Sequence, residues 1–137
     1  MIYSFSIPGT PVPKGRPRFG KGHAYTPAKT REAEERVRAA ARNAGIRKPA
    51  EGLVSVTAVF YGAERSDVDN LAKLILDSLN KLAWRDDRQV RSMQLWKLPA
   101  DGCRPGTLVT IETGVGWTPT NMWEDGWKES PIPEEIP

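Results

Sequence analysis

Polar and apolar residues alternate at the start of the chain, where Tyr3, Phe5 and Ile7 are separated by Ser4 and Ser6. A period of two marks a strand with one buried face, and Pro8 with Gly9 ends it. Residues 8–27, PGTPVPKGRPRFGKGHAYTP, are rich in glycine, proline and cations, and predict one long loop without regular structure. Loops of that length inside a compact domain are more often functional than merely connective. Thr26 before Pro27 suits an N-cap followed by the first helical position, so a helix is predicted to run to about Asn43 and stop at Gly45. Its apolar stripe, Ala33, Val37, Ala40, Ala41 and Ala44, is narrow and suits close packing against a neighbour.

The run LVSVTAVFY at residues 53–61 is β-branched and bounded by Gly52 and Gly62, the clearest strand in the chain. Over residues 70–83, Leu71, Leu74, Ile75, Leu79 and Leu82 recur at spacings of three and four, which predicts an amphipathic helix. Residues 89–98 and 107–113 are predicted strands. The turn-rich PADGCRPG between them predicts an antiparallel pair. The order β-loop-α-β-α-β-β predicts a small single α+β (α/β-like) domain, a mixed β-sheet with two main helices on one face. This domain covers residues 1–114. Residues 115–137 lose all periodicity, carry Trp117, Trp123 and Trp127 among prolines and acids, and are expected to be an appended tail that docks on its own domain or on a partner.

A length of 137 residues with 39% hydrophobic content suffices for one buried core. No apolar run approaches the roughly 20 residues of a membrane helix, and the start lacks the order of a secretory signal, so a cytoplasmic protein with no membrane partner is expected. Cys103 and His23 are the only residues of their kinds, which excludes a disulfide within the chain and zinc sites built from several Cys and His. Any metal must rest on oxygen ligands. The net charge of +3 conceals an asymmetry: eleven Lys/Arg against three Glu give residues 1–48 a charge of +8, while one Lys against five acids gives residues 115–137 a charge of −4. Concentrated positive charge suits a polyanion, because each cation that neutralises a phosphate releases counterions.

Within this basic chain, residues 66–90 hold five aspartates, four of them as D-x-D and D-D pairs. An extended backbone at residues 67–69 would put the Asp67 and Asp69 side chains on one side. Asp69 stands where an N-cap belongs, and Lys73 and Asp77 follow at intervals of four, opposite the leucines. A strand starting near Gln89 and returning beside the first would bring Asp86 or Asp87 to the same place. Carboxylates gathered at one point repel unless a cation compensates, and hard oxygen donors suit Mg²⁺ or Mn²⁺. Two plainer readings compete: Asp69 as an ordinary helix cap, and RDDR as a solvated turn whose acids pair with Arg85 and Arg88. An EF-hand fails, because Ala72 and Ser78 fall where its glycine and bidentate glutamate belong. A sugar-nucleotide D-x-D site is disfavoured by the small size of the chain.

The run DVDNLAKLILDSL, then DDRQV, together with the early PVPKGRPR, resembles the RusA family of Holliday junction resolvases over about residues 1–113. The resemblance implies a small homodimeric Mg²⁺-dependent endonuclease, with Mn²⁺ a possible substitute, that cuts four-way DNA junctions. It implies that Asp67, Asp69 and Asp87 are the catalytic, metal-holding carboxylates, that Asp86 is the other half of the D-D pair, and that Lys73 is the catalytic lysine. Electrostatic stabilisation or orientation of water suits Lys73 better than general-base work, since neighbouring carboxylates favour the charged form of an ammonium. Lys14, Arg16, Arg18, Lys21, Lys29 and Arg31 are expected to grip the DNA backbone; six neutralised phosphates give a salt slope of about −5. Phe19 and Tyr25 are candidates for stacking on unpaired bases or for packing. His23 is expected at DNA or solvent, and Trp84 and Trp96 in the core or an interface. A four-way junction is nearly two-fold symmetric, so a two-fold dimer with matched sites is the functional expectation. The rivals are a basic DNA-binding protein without catalysis and a less selective branched-DNA nuclease.

Overall fold

The computed structural model describes residues 1–15, 18–20, 22–25 and 27–114, with positions 18, 23 and 25 described for their backbone. Among these residues the order is β1 (Ile2–Pro8), β2 (Arg18–Gly20), β3 (His23–Tyr25), α1 (Ala28–Asn43), β4 (Val54–Tyr61), α2 (Val68–Leu79), β5 (Val90–Leu98) and β6 (Gly106–Thr113). The predicted class holds: a mixed four-stranded sheet with two helices.

Strand order is β1-β6-β4-β5, with β6 antiparallel to both β1 and β4, and β5 parallel to β4. The predicted hairpin between the last two strands therefore does not form. β6 is drawn to the middle because Val109 and Ile111 are fully buried there, whereas β5 has no buried residue and takes the edge. Parallel pairing of β4 with β5 in turn needs a long crossover, and α2 supplies it.

Alternate residues of the strands face the helices. Phe5, Val54, Val56, Ala58, Phe60, Val109 and Ile111 join Ala33, Val37 and Ala41 of α1 and Leu71, Leu74, Ile75 and Leu79 of α2 in one core. The narrow alanine stripe of α1 is what lets it sit close to α2.

Three predicted boundaries move. The basic segment is not wholly irregular: β2 and β3 pair as a small antiparallel hairpin with Gly20 opposite His23, and Gly22 takes a φ of +81° in the turn. α1 starts at Ala28 with Pro27 at its N-cap, one residue later than expected; Thr26 lies outside the described residues. α2 spans Val68–Leu79 rather than residues 70–83. Asn80 is extended and Lys81 adopts a left-handed φ of 71°, so the chain leaves the helix before Leu82. Its leucine period continues by coincidence into a turn that tucks Trp84, fully buried, under the sheet end.

Candidate active site

One end of the sheet is defined by Pro8, Tyr61, Leu98 and Gly106, which lie side by side in the strand registers. From this end the chain turns back into α2. Gly62 N–H donates to Leu98 O at 2.9 Å and Ser66 N–H to Ala63 O at 3.1 Å, which keeps residues 62–66 beside the strand ends. Asp67 is then the N-cap of α2, extended at φ −74° and ψ 137°, and its carboxylate makes no capping hydrogen bond. Asp69 lies in the first turn, where the positive end of the helix dipole favours an anion. Lys73 follows one turn later. All three side chains are exposed. The expectation that Asp69 caps the helix is corrected: Asp67 takes that place, and the backbone is already helical from Val68.

The second pair of aspartates sits elsewhere. Val90 opens β5 level with Val54, the first residue of β4, and Gln89 Nε2 donates to the carbonyls of Ala50 at 2.7 Å and Gly52 at 2.9 Å. Asp86 and Asp87 are thereby held at the start of β4, whereas Asp67 and Asp69 follow its end. Eight residues of strand separate the two levels, roughly 23 Å at the usual strand rise. The expected convergence within one chain fails because β5 runs parallel to β4. Among the described residues no three Asp, Glu, His or Cys side chains are placed to hold one metal ion.

Asp86 and Asp87 are also unequal. Asp86 Oδ1 accepts from Arg88 N at 2.8 Å and Nε at 3.1 Å, and Oδ2 accepts from Arg88 Nη2 at 3.3 Å. The Arg88 guanidinium first, and then its backbone N–H, hold the Asp86 carboxyl below the usual carboxylate range. Asp86 and Gln89 form a capping box on a short 3-10 turn. Arg85 pairs with Glu51 at 2.7 Å and with neither aspartate. Asp87 receives a bond at 2.8 Å from the indole Nε1 of Trp84. That bond escaped the sequence reading, which placed Trp84 in the core or an interface; the three-residue spacing from a buried tryptophan to an acid was the one signal for it.

The basic segment leaves the sheet at the Asp67 end. Lys29 and Arg31 are exposed on the first turn of α1. Arg16, Lys21 and the side chain of Arg18 lie outside the described residues, as do the side chains of His23 and Tyr25. Phe19 is 84% exposed, which argues against packing onto the domain. Lys14 differs from the expected phosphate contact, because its ammonium is held by Asp77 at 3.0 Å and Glu34 at 3.1 Å. Burial pulls this ammonium down, but the bonds from Asp77 and then Glu34 outweigh it and raise it above the ordinary 10.5.

Asp67 and Asp69 are hard oxygen donors of the kind Mg²⁺ takes, but two carboxylates make only part of a site. One chain alone therefore does not fit a complete metal centre. The tail, residues 115–137, lies outside the described residues. No helix among the described residues is long and apolar enough to cross a membrane.

No curated protein matches the chain. The family described as Endodeoxyribonuclease RusA matches residues 8–112, which takes in both aspartate pairs, Lys73 and the basic segment. The match covers more than half of the chain, and the chain belongs to the RusA family of Holliday junction resolving endonucleases.

Proposed function

We propose that the chain is a homodimeric, Mg²⁺-dependent resolvase that hydrolyses paired phosphodiesters in four-way DNA junctions during recombination or repair, in the cytoplasm of a bacterial or phage-infected cell. The observation that carries the reading is the position of Asp67, Asp69 and Lys73, exposed at the sheet end from which the basic segment emerges, inside the stretch matched to the family. Nucleases of this type generally depend on a divalent metal. Mn²⁺ is the expected substitute, since it accepts the same oxygen donors.

The separation of the two aspartate pairs favours a site shared across the dimer. A two-fold partner can present its own Asp87 to Asp67 and Asp69, so that each of two sites takes carboxylates from both chains. A divalent ion held there would supply charge neutralisation and an activated water. Lys73 would neutralise charge on the phosphoryl oxygens. Asp87 is the better candidate of its pair, because Arg88 occupies both oxygens of Asp86. Residues 1–114 would form the nuclease domain and 115–137 an appended tail.

The test is cleavage of a labelled four-way junction beside linear duplex of the same arms, with Mg²⁺ or EDTA, by the wild type and Asp69→Asn. Paired symmetric nicks on the junction alone, abolished by EDTA and by the substitution while binding persists, are the expected result. Binding without cleavage under either Mg²⁺ or Mn²⁺ would leave a DNA-binding protein whose acids are structural.

A further inference from the structure

Resting on the branched-DNA reading above, we propose that Asp77 is a positioning residue for DNA binding: with Glu34 it clamps Lys14 and so fixes the root of the basic segment against α2.

The contacts converge on two residues of the segment. Lys14 Nζ lies 3.0 Å from Asp77 Oδ2 on α2 and 3.1 Å from Glu34 Oε1 on α1, so one ammonium ties the two helices together. Lys14 N–H donates to Asn70 O at 3.0 Å, in the first turn of α2 next to Asp69. Gly15 N–H donates to Thr30 Oγ1 at 3.2 Å, and Thr30 is only 3% exposed. A Cβ at Gly15 would lie 2.5 Å from that hydroxyl, so only glycine permits this approach. The Lys14 and Glu34 side chains are 19% and 13% exposed. An ammonium with two carboxylates on it is poorly placed to neutralise a phosphate. Its work is to hold residues 14 and 15 while the cations that follow them meet DNA.

This assignment reverses the usual sign of a charge change. Removing an acid beside a polyanion site ordinarily tightens binding. Asp77→Asn leaves the Lys14 ammonium to Glu34 alone, unties it from α2 and loosens the segment, so it weakens binding instead.

The experiment measures junction binding in EDTA over a salt series for the wild type, Lys14→Met, Asp77→Asn, the double variant and Asp77→Glu. Amide exchange at Lys14 and Gly15 is followed in DNA-free protein. Both single variants are expected to weaken binding roughly tenfold and to lower the salt slope by about 2 or more, beyond the single contact a phosphate-bound lysine would forfeit. The double variant should add little to either single, and Asp77→Glu should restore most of the affinity. Exchange at Lys14 and Gly15 should accelerate in Asp77→Asn while β4 amides keep their protection, which separates loosening from unfolding. Unchanged or tighter binding by Asp77→Asn overturns the proposal, as does unchanged exchange at residues 14 and 15. Because exchange needs no DNA, a wild type that bound no junction would overturn the function proposed above and leave this readout to decide the clamp.

Discussion

The buried indole of Trp84 donates its Nε1 hydrogen to Asp87 Oδ1 at 2.8 Å. A fully buried ring thus aims an exposed carboxylate, and among the described residues only Oδ1 of that carboxylate is engaged. Trp84→Phe keeps most of the apolar volume and deletes the donor. The expected result is a loss of about 1–3 kcal/mol in denaturant unfolding. Cleavage should fall at least tenfold while junction affinity in EDTA is unchanged. Cleavage at the wild-type rate in a folded Trp84→Phe protein would show that Asp87 needs no such orientation.

A site shared between subunits makes a specific demand on mixtures of inactive variants. Asp69→Asn and Asp87→Asn homodimers should each be inactive. In the mixed dimer one site carries both substitutions and the other carries neither, so random exchange should regain about a quarter of wild-type sites. The product should be single nicks rather than paired ones. If each site were built within one chain, every site in the mixture would carry one substitution and no activity would return.

The Lys14 clamp predicts a pH dependence of stability. Its ammonium is raised above the ordinary 10.5 in the folded chain by Asp77 and Glu34, against the pull of burial. A group raised on folding contributes stability that is complete below its unfolded value and lost as pH rises through its folded value. The stability difference between the wild type and Lys14→Met should therefore stay constant near neutral pH and shrink only above 10.5. Denaturant midpoints of both proteins across the alkaline range check this, and a gap that closed near neutrality would contradict the clamp.

Lys81, two residues past the end of α2, has a φ of 71°, the left-handed region that a side chain enters at a cost. Lys81→Gly removes that cost but adds freedom to the unfolded chain, so a net gain of about 0.5 kcal/mol is expected. Chemical denaturation measures it. A clear loss of stability would mean that the Lys81 side chain contributes contacts of its own.

The sequence by itself determined the class, both helices and the four strands of the main sheet. The β-branched run before Tyr61 and the three-four leucine spacing from Leu71 to Leu79 impose local geometry that tertiary packing had no cause to override, and the lack of alternative ligands leaves only oxygen donors for any metal. The family resemblance singled out Asp67, Asp69, Lys73 and Asp87 before any of them had a position. Tertiary structure decided how those elements were joined. Nothing in the spacing from residue 98 to residue 106 tells a hairpin from a crossing to the other side of β4; the burial of Val109 and Ile111 in the sheet centre does. The crossover through α2 returns the chain so that β5 runs parallel to β4, and it is this direction that sends Asp87 to the opposite end from Asp67. Long-range pairings such as Lys14 with Asp77 are equally silent in the sequence, because an ion pair leaves no periodicity behind it, and only the docking of residues 14 and 15 onto α2 and α1 brings the two charges to 3.0 Å.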